Sequence, residues 1–364
     1  MKIALVILHA DPARGGAERY TLDLAAALPR RGHAVSLVAS SFASPAAGNV
    51  RQVTLPTSAF TRAGRYRQFL DALDTHLAAE PYDIIHAMLP VRRCDVYHPH
   101  AGLALAAAER TGSNLLFNPR RRLMSNVEQA LLNAPRPPIV VSLSEYVKRE
   151  IVQHYPQLPA ERLRTLFNAV DLDRFKPMPP TGVIRSRISG GGLVALFIGH
   201  DYVRKGLAEA VAATAKLDED APALAVLGPM EWRRYELTPQ RHTRVMQFPA
   251  VDDPRPYYAD ADFFVLPTKH DPCSLVVLEA LAMGLPVIST RFNGATEIMT
   301  DGVQGFIQQD PSDVDALAES MRKMLDPARR SAMKEACLTL RPALSYEHHL
   351  DTLEQIYAAA RPAS

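Results

Sequence analysis

The chain predicts two α/β domains, each built on a mostly parallel sheet, and three observations carry that prediction. The chain has 364 residues, of which 47% are apolar and 22% charged, so it can bury a large core and exceeds the usual size of one domain. Apolar runs of strand length alternate with helical patterns, as expected of parallel strands joined by crossover helices. The rhythm is interrupted once, by the Pro- and Gly-punctuated segment FKPMPPTGVIRSRISGGG at 175–192, and then restarts.

The first run, KIALVIL, reads as a buried strand. MKIALVILHA carries one lysine and a short apolar stretch, but DPARGGAERY follows it where a signal peptide would have a small-residue cleavage site. AERYTLDLAAALPRRG supplies the next helix, and AVSLVAS, YDIIHAM, IVVSLS and RLRTLFN supply further strands, giving an N-terminal domain over 1–174. After the punctuated segment, LVALFIG, ALAVLG, RVMQFPA, DFFVLP and PVIST form the strands of a second domain over 175–345. Within it, residues 268–273 form a loop, Ser274 is the N-cap of a helix, and Gly284 stops that helix. In SYEHHLDTLEQIYAAA, residues Tyr346, Leu350, Leu353 and Ile356 fall on one helical face, so 346–364 closes the fold as a helix packing back towards the N-terminal domain.

Composition limits the function. A formal net charge of +2 excludes a protein that binds polyanions by bulk charge, so nucleic acid is not an expected partner. The three cysteines, Cys94, Cys273 and Cys337, are odd in number and lack C-x-x-C spacing, which supports neither a disulfide framework nor a zinc site and fits a reducing cytoplasm. No stretch approaches the ~20 apolar residues of a membrane-spanning helix, so contact with a membrane would be peripheral.

Four short stretches could carry chemistry. In HDPCSLVVLEALAMGLPVIST, Asp271 lies in the loop and Glu279 in the helix, while Ser274 and Leu275 open that helix beside free backbone N–H groups that favour anions. A phosphorylated ligand could dock there with the two carboxylates on its hydroxyls; taken alone, the pair reads sooner as a helix cap and a solvated helix residue. GHDYVRKGLAEAVAA places Arg204 and Lys205 in a loop before a helix, suited to phosphate oxygens. GGAERY puts Gly15 and Gly16 between the first strand and its helix, where backbone can approach a phosphate closely. In DVYHPHAG, His98 and His100 follow a strand, where they serve equally as ligand contacts or as histidines of a Pro-containing turn with only local hydrogen bonds. Two Asp-x-Asp strings, DLD at 171–173 and DAD at 260–262, raise the alternative of a metal-dependent nucleotide-sugar enzyme. Their contexts, a loop leaving the first domain and the start of a buried strand, argue against it, and no metal ligands are assigned.

Together these elements resemble the retaining glycosyltransferases of family 4, over nearly the whole chain. The specific marks are GGAERY, LPRRGHAVSLV, RTLFNAVDLDRF, FIGHDYVRKG and DPCSLVVLEALAMGLPVIST with GATEIMTDGVQGF. The resemblance implies the GT-B fold, two Rossmann-like domains facing a deep cleft, and an acid–x7–acid element on the donor. That element reads Asp271, on the transferred sugar, to Glu279, on the ribose; its first position is more often Glu. CDVYHPHAGLALAAAERTG and GHDYVRKG are further similar to segments of the lipopolysaccharide inner-core glucosyltransferases within the family. The implied activity is that of a hexosyltransferase acting on the cytoplasmic side of a membrane. Its donor would be a nucleotide-diphosphate sugar such as UDP-glucose, its acceptor a lipid-linked or lipopolysaccharide-core saccharide, and no cofactor is implied. Arg204 and Lys205 would hold the diphosphate, Gly15 and Gly16 would complete the phosphate site, and Asp271 with His98 or His100, His100 slightly preferred, would face the sugar. Arg120, Arg121 and Arg122, with RAGRYRQF at 62–69, would meet an anionic membrane surface. A sugar-nucleotide epimerase or hydrolase, and a non-catalytic binding protein, would use the same donor site. A nicotinamide-linked dehydrogenase is disfavoured, because GGAERY lacks the full G-x-G-x-x-G pattern.

Overall fold

A computed structural model describes residues 1–45, 48–100, 102–110, 118–188, 192–217, 221–229 and 245–361. The described chain divides into two compact units, one formed by Met1–Phe167 with Leu350–Ser364, the other by Asn168–His349.

Unit 1 contains strands β1 (Lys2–Val6), β2 (His9–Ala10), β3 (Ala34–Ala39), β4 (Ser41–Phe42), β5 (Val50–Thr54), β6 (Ile84–Ala87), β7 (Val96–Tyr97), β8 (Ile139–Ser142) and β9 (Leu163–Thr165). Its helices are α1 (Gly16–Ala27), α2 (Arg62–Ala79), α3 (Ala104–Arg110), α4 (Pro119–Leu132) and α5 (Glu145–His154). Seven strands form one sheet in the order β5-β3-β1-β6-β7-β8-β9, with every pair parallel. Alternate residues of β1 serve the two faces, because successive strand side chains point oppositely. Ile3 and Leu5 pack with Tyr20 and Leu24 of α1, whereas Ala4 and Val6 pack with Tyr66, Phe69 and Leu73 of α2. Both faces being covered is why β1 reads as a continuous apolar run.

Unit 2 contains β10 (Val194–Ile198), α6 (Tyr202–Lys205), α7 (Leu207–Ala215), β11 (Ala223–Leu227), β12 (Val245–Phe248), α8 (Arg255–Asp260), β13 (Phe263–Leu266), α9 (Leu275–Ala282), β14 (Val287–Thr290), β15 (Gly305–Gln308), α10 (Val314–Lys323), α11 (Pro327–Thr339) and α12 (Arg341–Leu344). Its parallel sheet runs β12-β11-β10-β13-β14-β15. The order reverses between β10 and β13, which makes their carboxyl ends the place where an open α/β sheet forms a binding crevice.

The units part at Phe167–Asn168. Residues 168–175 are tied into unit 2: Asn168 Nδ2 donates to Cys273 O at 3.1 Å, Val170 N to Leu344 O at 2.8 Å, and Arg341 reaches Leu172 O and Phe175 O, each at 2.9 Å. The last helix, α13 (Tyr346–Ala360), buries Leu350, Leu353, Ile356 and Tyr357 in the β1–α1 core of unit 1. Tyr346 is half-buried and falls in unit 2. Tyr357, absent from the sequence-based stripe, takes its place on the buried face and puts its hydroxyl 2.8 Å from His86 Nδ1.

Candidate functional site

At the carboxyl end of β10, Asp201 accepts from Arg204 N at 3.2 Å and caps the four-residue helix α6. Arg204 and Lys205 therefore end a short helical turn and do not lie in a loop. Gly206 separates α6 from α7 with φ of +78°, and a Cβ there would lie 2.2 Å from Pro267 O, so only glycine fits. That close approach lays the turn against the chain leaving β13. Arg204 O is 2.8 Å from Lys269 N, and Arg204 Nη1 donates to His270 O at 2.7 Å.

The loop after β13 brings Asp271 to the same place. Its backbone is pinned, with Asp271 N donating to Phe292 O at 2.8 Å and Gly294 N to Asp271 O at 2.9 Å. Its buried carboxylate accepts from Lys205 Nζ and stands 3.7 Å from Arg204 Nη1. Ser274 occupies the N-cap position of α9 without capping it through its side chain. Its hydroxyl instead lies 3.4 Å from Lys205 Nζ, so the first N–H groups of α9 receive no hydroxyl acceptor from Ser274. Leu275 is the first residue of that helix, and Gly284, with φ of +77°, follows its C-cap. Asp201 also pairs with Arg204 Nε at 3.3 Å, so two cations here meet two carboxylates, and it is the N-terminus of α9 beside them that favours an anion.

Glu279 lies on α9, half-buried, with Oε2 2.9 Å from Tyr258 OH. Tyr258 is fully buried, and burial first, then Glu279, pushes its phenol well up; it stays a neutral donor that orients the carboxylate. No sequence pattern pointed to Tyr258. A second overlooked residue is Asn293, fully buried, whose Oδ1 accepts from Ser274 N at 3.2 Å and Ala295 N at 3.1 Å. Its position before Gly294 is a turn signal that could have marked it.

In unit 1, Gly15 is the N-cap of α1 with an extended backbone (φ 164°), and Gly16 is its first residue. Gly15 is thus not required by conformation. A Cβ on it would lie 3.3 Å from Glu18 Oε2, an acid in the first turn with which an anion docking here would compete. His98 and His100 come just after β7 and are buried at 0% and 8% exposure. His98 stacks on His86 with 5.5 Å between ring centroids, and His100 lies 4.3 Å from the Tyr20 ring. The two histidines thus belong to one aromatic cluster, from which His100 is the more accessible.

The Asp-x-Asp strings have structural uses. Asp260 accepts from Thr181 N, Gly182 N and Ile184 N at 2.6, 2.9 and 2.7 Å, and Asp262 pairs with Arg185 at 3.0 Å. Asp171 accepts from Asp173 N and Arg174 N. Among the described residues no group of three or more His, Cys, Asp or Glu side chains could hold a metal ion.

Residues 192–327 match the family model described as Glycosyl transferases group 1, and residues 14–174 match Glycosyltransferase Family 4. The chain belongs to glycosyltransferase family 4. It is 24% identical to the lipopolysaccharide glucosyltransferase WaaG of Escherichia coli K12, over 96% of this chain and 94% of that protein. The crystal structure of WaaG superposes with a TM-score of 0.81 at 23% identity, covering 97% of this chain and 99% of that one. HepE of Anabaena, in complex with UDP and glucose, gives a TM-score of 0.74 at 17% identity over 98% and 99%. This family 4 glycosyltransferase has the GT-B fold, and its two α/β units are the two halves of that fold. Among the described residues no helix is long and apolar enough to cross a membrane.

Proposed function

We propose that the protein moves a hexose, glucose from UDP-glucose in the first instance, to a lipid-linked or lipopolysaccharide-core saccharide with retention at the anomeric carbon. The observation that carries the donor half is the gathering of Arg204, Lys205, Asp271 and Ser274 at the N-terminus of α9, with Glu279 farther along the same helix. Arg204, Lys205 and the helix N-terminus hold the diphosphate, and Glu279, oriented by Tyr258, takes the ribose. Asp271 faces the sugar while restraining Lys205. On unit 1 the same proposal gives Gly15 and Gly16, at the start of α1, a phosphate contact, and His100, with His98 beside it, a sugar contact. The C1–oxygen bond to the diphosphate breaks as the acceptor hydroxyl oxygen bonds C1 on the same face, the hydroxyl proton passes to the departing diphosphate oxygen, and the cationic cluster stabilises the leaving charge. The names of WaaG, a lipopolysaccharide glucosyltransferase, and of the HepE complex with UDP and glucose support this choice of donor and acceptor.

Calorimetry tests the assignment. Glu279→Ala should weaken both UDP and UDP-glucose by about 1.5–3 kcal/mol, whereas Asp271→Ala should spare UDP. Wild-type affinity for both ligands in both variants would make the carboxylates structural.

Peripheral binding to the cytoplasmic face of a membrane is part of the same proposal. The three arginines of α4 do not act alike: Arg122 is exposed and Arg120 half-buried. Phe60 is fully exposed just ahead of α2, its carbonyl held by Arg65 Nη1 at 3.2 Å. An exposed aromatic ring beside basic side chains suits an anionic interface. Vesicle sedimentation should rise with anionic lipid and fall with salt, and equal sedimentation with neutral and anionic vesicles would refute it.

A further inference from the structure

Unit 1 holds a basic cavity that the donor site does not use. It measures about 330 Å³ and is lined by Arg14, Arg62, Arg65 and Arg120 together with His9 and Tyr66. Its walls come from the carboxyl ends of parallel strands: Leu8 and His9 follow β1, Ser40 follows β3, and Thr57 follows β5. The sheet order reverses between β1 and β6, so the cavity lies at the end of the sheet where α/β folds bind ligands.

The charges have no internal explanation. Among the described residues no carboxylate lines the cavity, and none of these four arginines makes an ion pair. Arg65 spends one donor on the carbonyls of Ala59 and Phe60. Arg62 is the first residue of α2, and Arg120, Arg121 and Arg122 fill the first turn of α4, with no acid in the first turn of either helix. Cations at a helix N-terminus oppose its dipole, and the two helices have 18 and 14 residues. Four arginines, two of them from the first turns of α2 and α4, thus line one small space, a concentration of like charge that an entering anion would relieve. The field is felt at His9, whose pKa is lowered by burial first and then by Arg14, Arg120 and Arg65, with Asp11 acting in the opposite sense and least.

A second chamber of about 680 Å³ adjoins the first and shares Arg62 and Arg120 with it. Its other walls include Met88, Leu89, Leu103 and the Tyr97 ring. A planar guanidinium fork matches a phosphate bidentately, and a mainly apolar chamber of this size with arginines at its edge accommodates a sugar ring against its apolar face.

We infer that Arg14, Arg62, Arg65 and Arg120 form a subsite for a phosphate monoester, and that the saccharide acceptor of this transferase carries one. The acceptor half of the inference rests on the transferase reading above; the phosphate site does not. The monoester is doubly charged, so it meets the four-arginine wall while its ring enters the adjoining chamber between Arg62 and Arg120.

The test titrates the full-length chain with inorganic phosphate, glucose 6-phosphate, glucose and UDP, by calorimetry and by NMR of the His9 ring. Phosphate and glucose 6-phosphate should bind, the sugar phosphate more tightly, and both should raise the His9 pKa towards its ordinary value; glucose alone should do neither. Arg62→Ala with Arg120→Ala should lower affinity for both phosphates by about tenfold or more. Arg62→Lys with Arg120→Lys, which keeps the charge, should retain part of the binding and so separates lost charge from lost folding. Equal phosphate affinity in the wild type and the double Ala variant would overturn the site. Complete displacement of phosphate by UDP would reassign it to the donor. Binding to phosphatidate vesicles that glucose 6-phosphate fails to displace would make the ligand a lipid headgroup and overturn the saccharide assignment. None of these readouts needs turnover, so failure of the transferase reading would leave the binding result standing.

Discussion

At the scale of single residues, the pairing of Lys205 with Asp271 sets the character of the donor site. Both side chains are about nine-tenths buried, and a buried charge that loses its partner is costly, whereas loss of the whole pair is not. Lys205→Ala should therefore destabilise the protein by about 3 kcal/mol, reduced to the extent that Arg204, 3.7 Å away, takes over. Adding Asp271→Asn should restore most of that stability without restoring donor affinity. Chemical denaturation and donor titration of the single and double variants check both halves, and equal stability of the two would remove the pair from the account. Sequence reasoning named both residues as donor contacts, but it could not see that they hold each other. That depends on which loops the strand order brings together, and no local pattern encodes it. Ser274 illustrates the same limit: its position ahead of α9 was legible, while the diversion of its hydroxyl towards Lys205 was not.

At the scale of elements, Glu128 of α4 ties three helices and a strand together. It is fully buried and accepts from Tyr97 OH at 2.5 Å, Ala104 N at 3.0 Å, Leu105 N at 3.2 Å and Tyr155 OH at 3.1 Å. It thus satisfies the first N–H groups of α3 and links them to the ends of β7 and α5. Burial raises its pKa above the ordinary 4.5, only partly offset by those four donors. A folded value above the unfolded one means stability that is fully present below the unfolded pKa and lost as pH rises through the folded pKa. Glu128→Gln removes the ionisation but keeps the side chain's shape. The variant should show a flatter dependence of stability on pH above 4.5 than the wild type, measured by denaturant unfolding across pH. Identical slopes would mean that the carboxylate titrates normally. The alternation of strands and helices around Glu128 was legible because both faces of the sheet are covered and each strand is a continuous apolar run. A carboxylate inside such a core has no sequence signature, since Glu128 looks like any polar residue of an amphipathic helix.

At the scale of the whole molecule, the two α/β units and the return of the last helix to unit 1 arise from periodicity and punctuation. The sequence marks where backbone is irregular, at 175–192, whereas the compact units divide where side chains change partners, at Asn168. The basic cavity was legible only in part: Arg62, Arg65 and Arg120 fall in the stretches grouped as a basic face, whereas Arg14 and the enclosure of all four depend on the parallel sheet that collects three separated segments. The central claim concerns what the assembled protein does to a nucleotide sugar, and product analysis addresses it most directly. UDP-glucose would be incubated with the full-length protein, with and without a lipopolysaccharide-core saccharide, and the products followed by mass spectrometry and by NMR of the anomeric proton. The account predicts a gain of one hexose on the acceptor with the donor's anomeric configuration kept, and release of UDP that depends on the acceptor. Epimerised or hydrolysed sugar formed at the same rate without acceptor, or an inverted linkage, would contradict it.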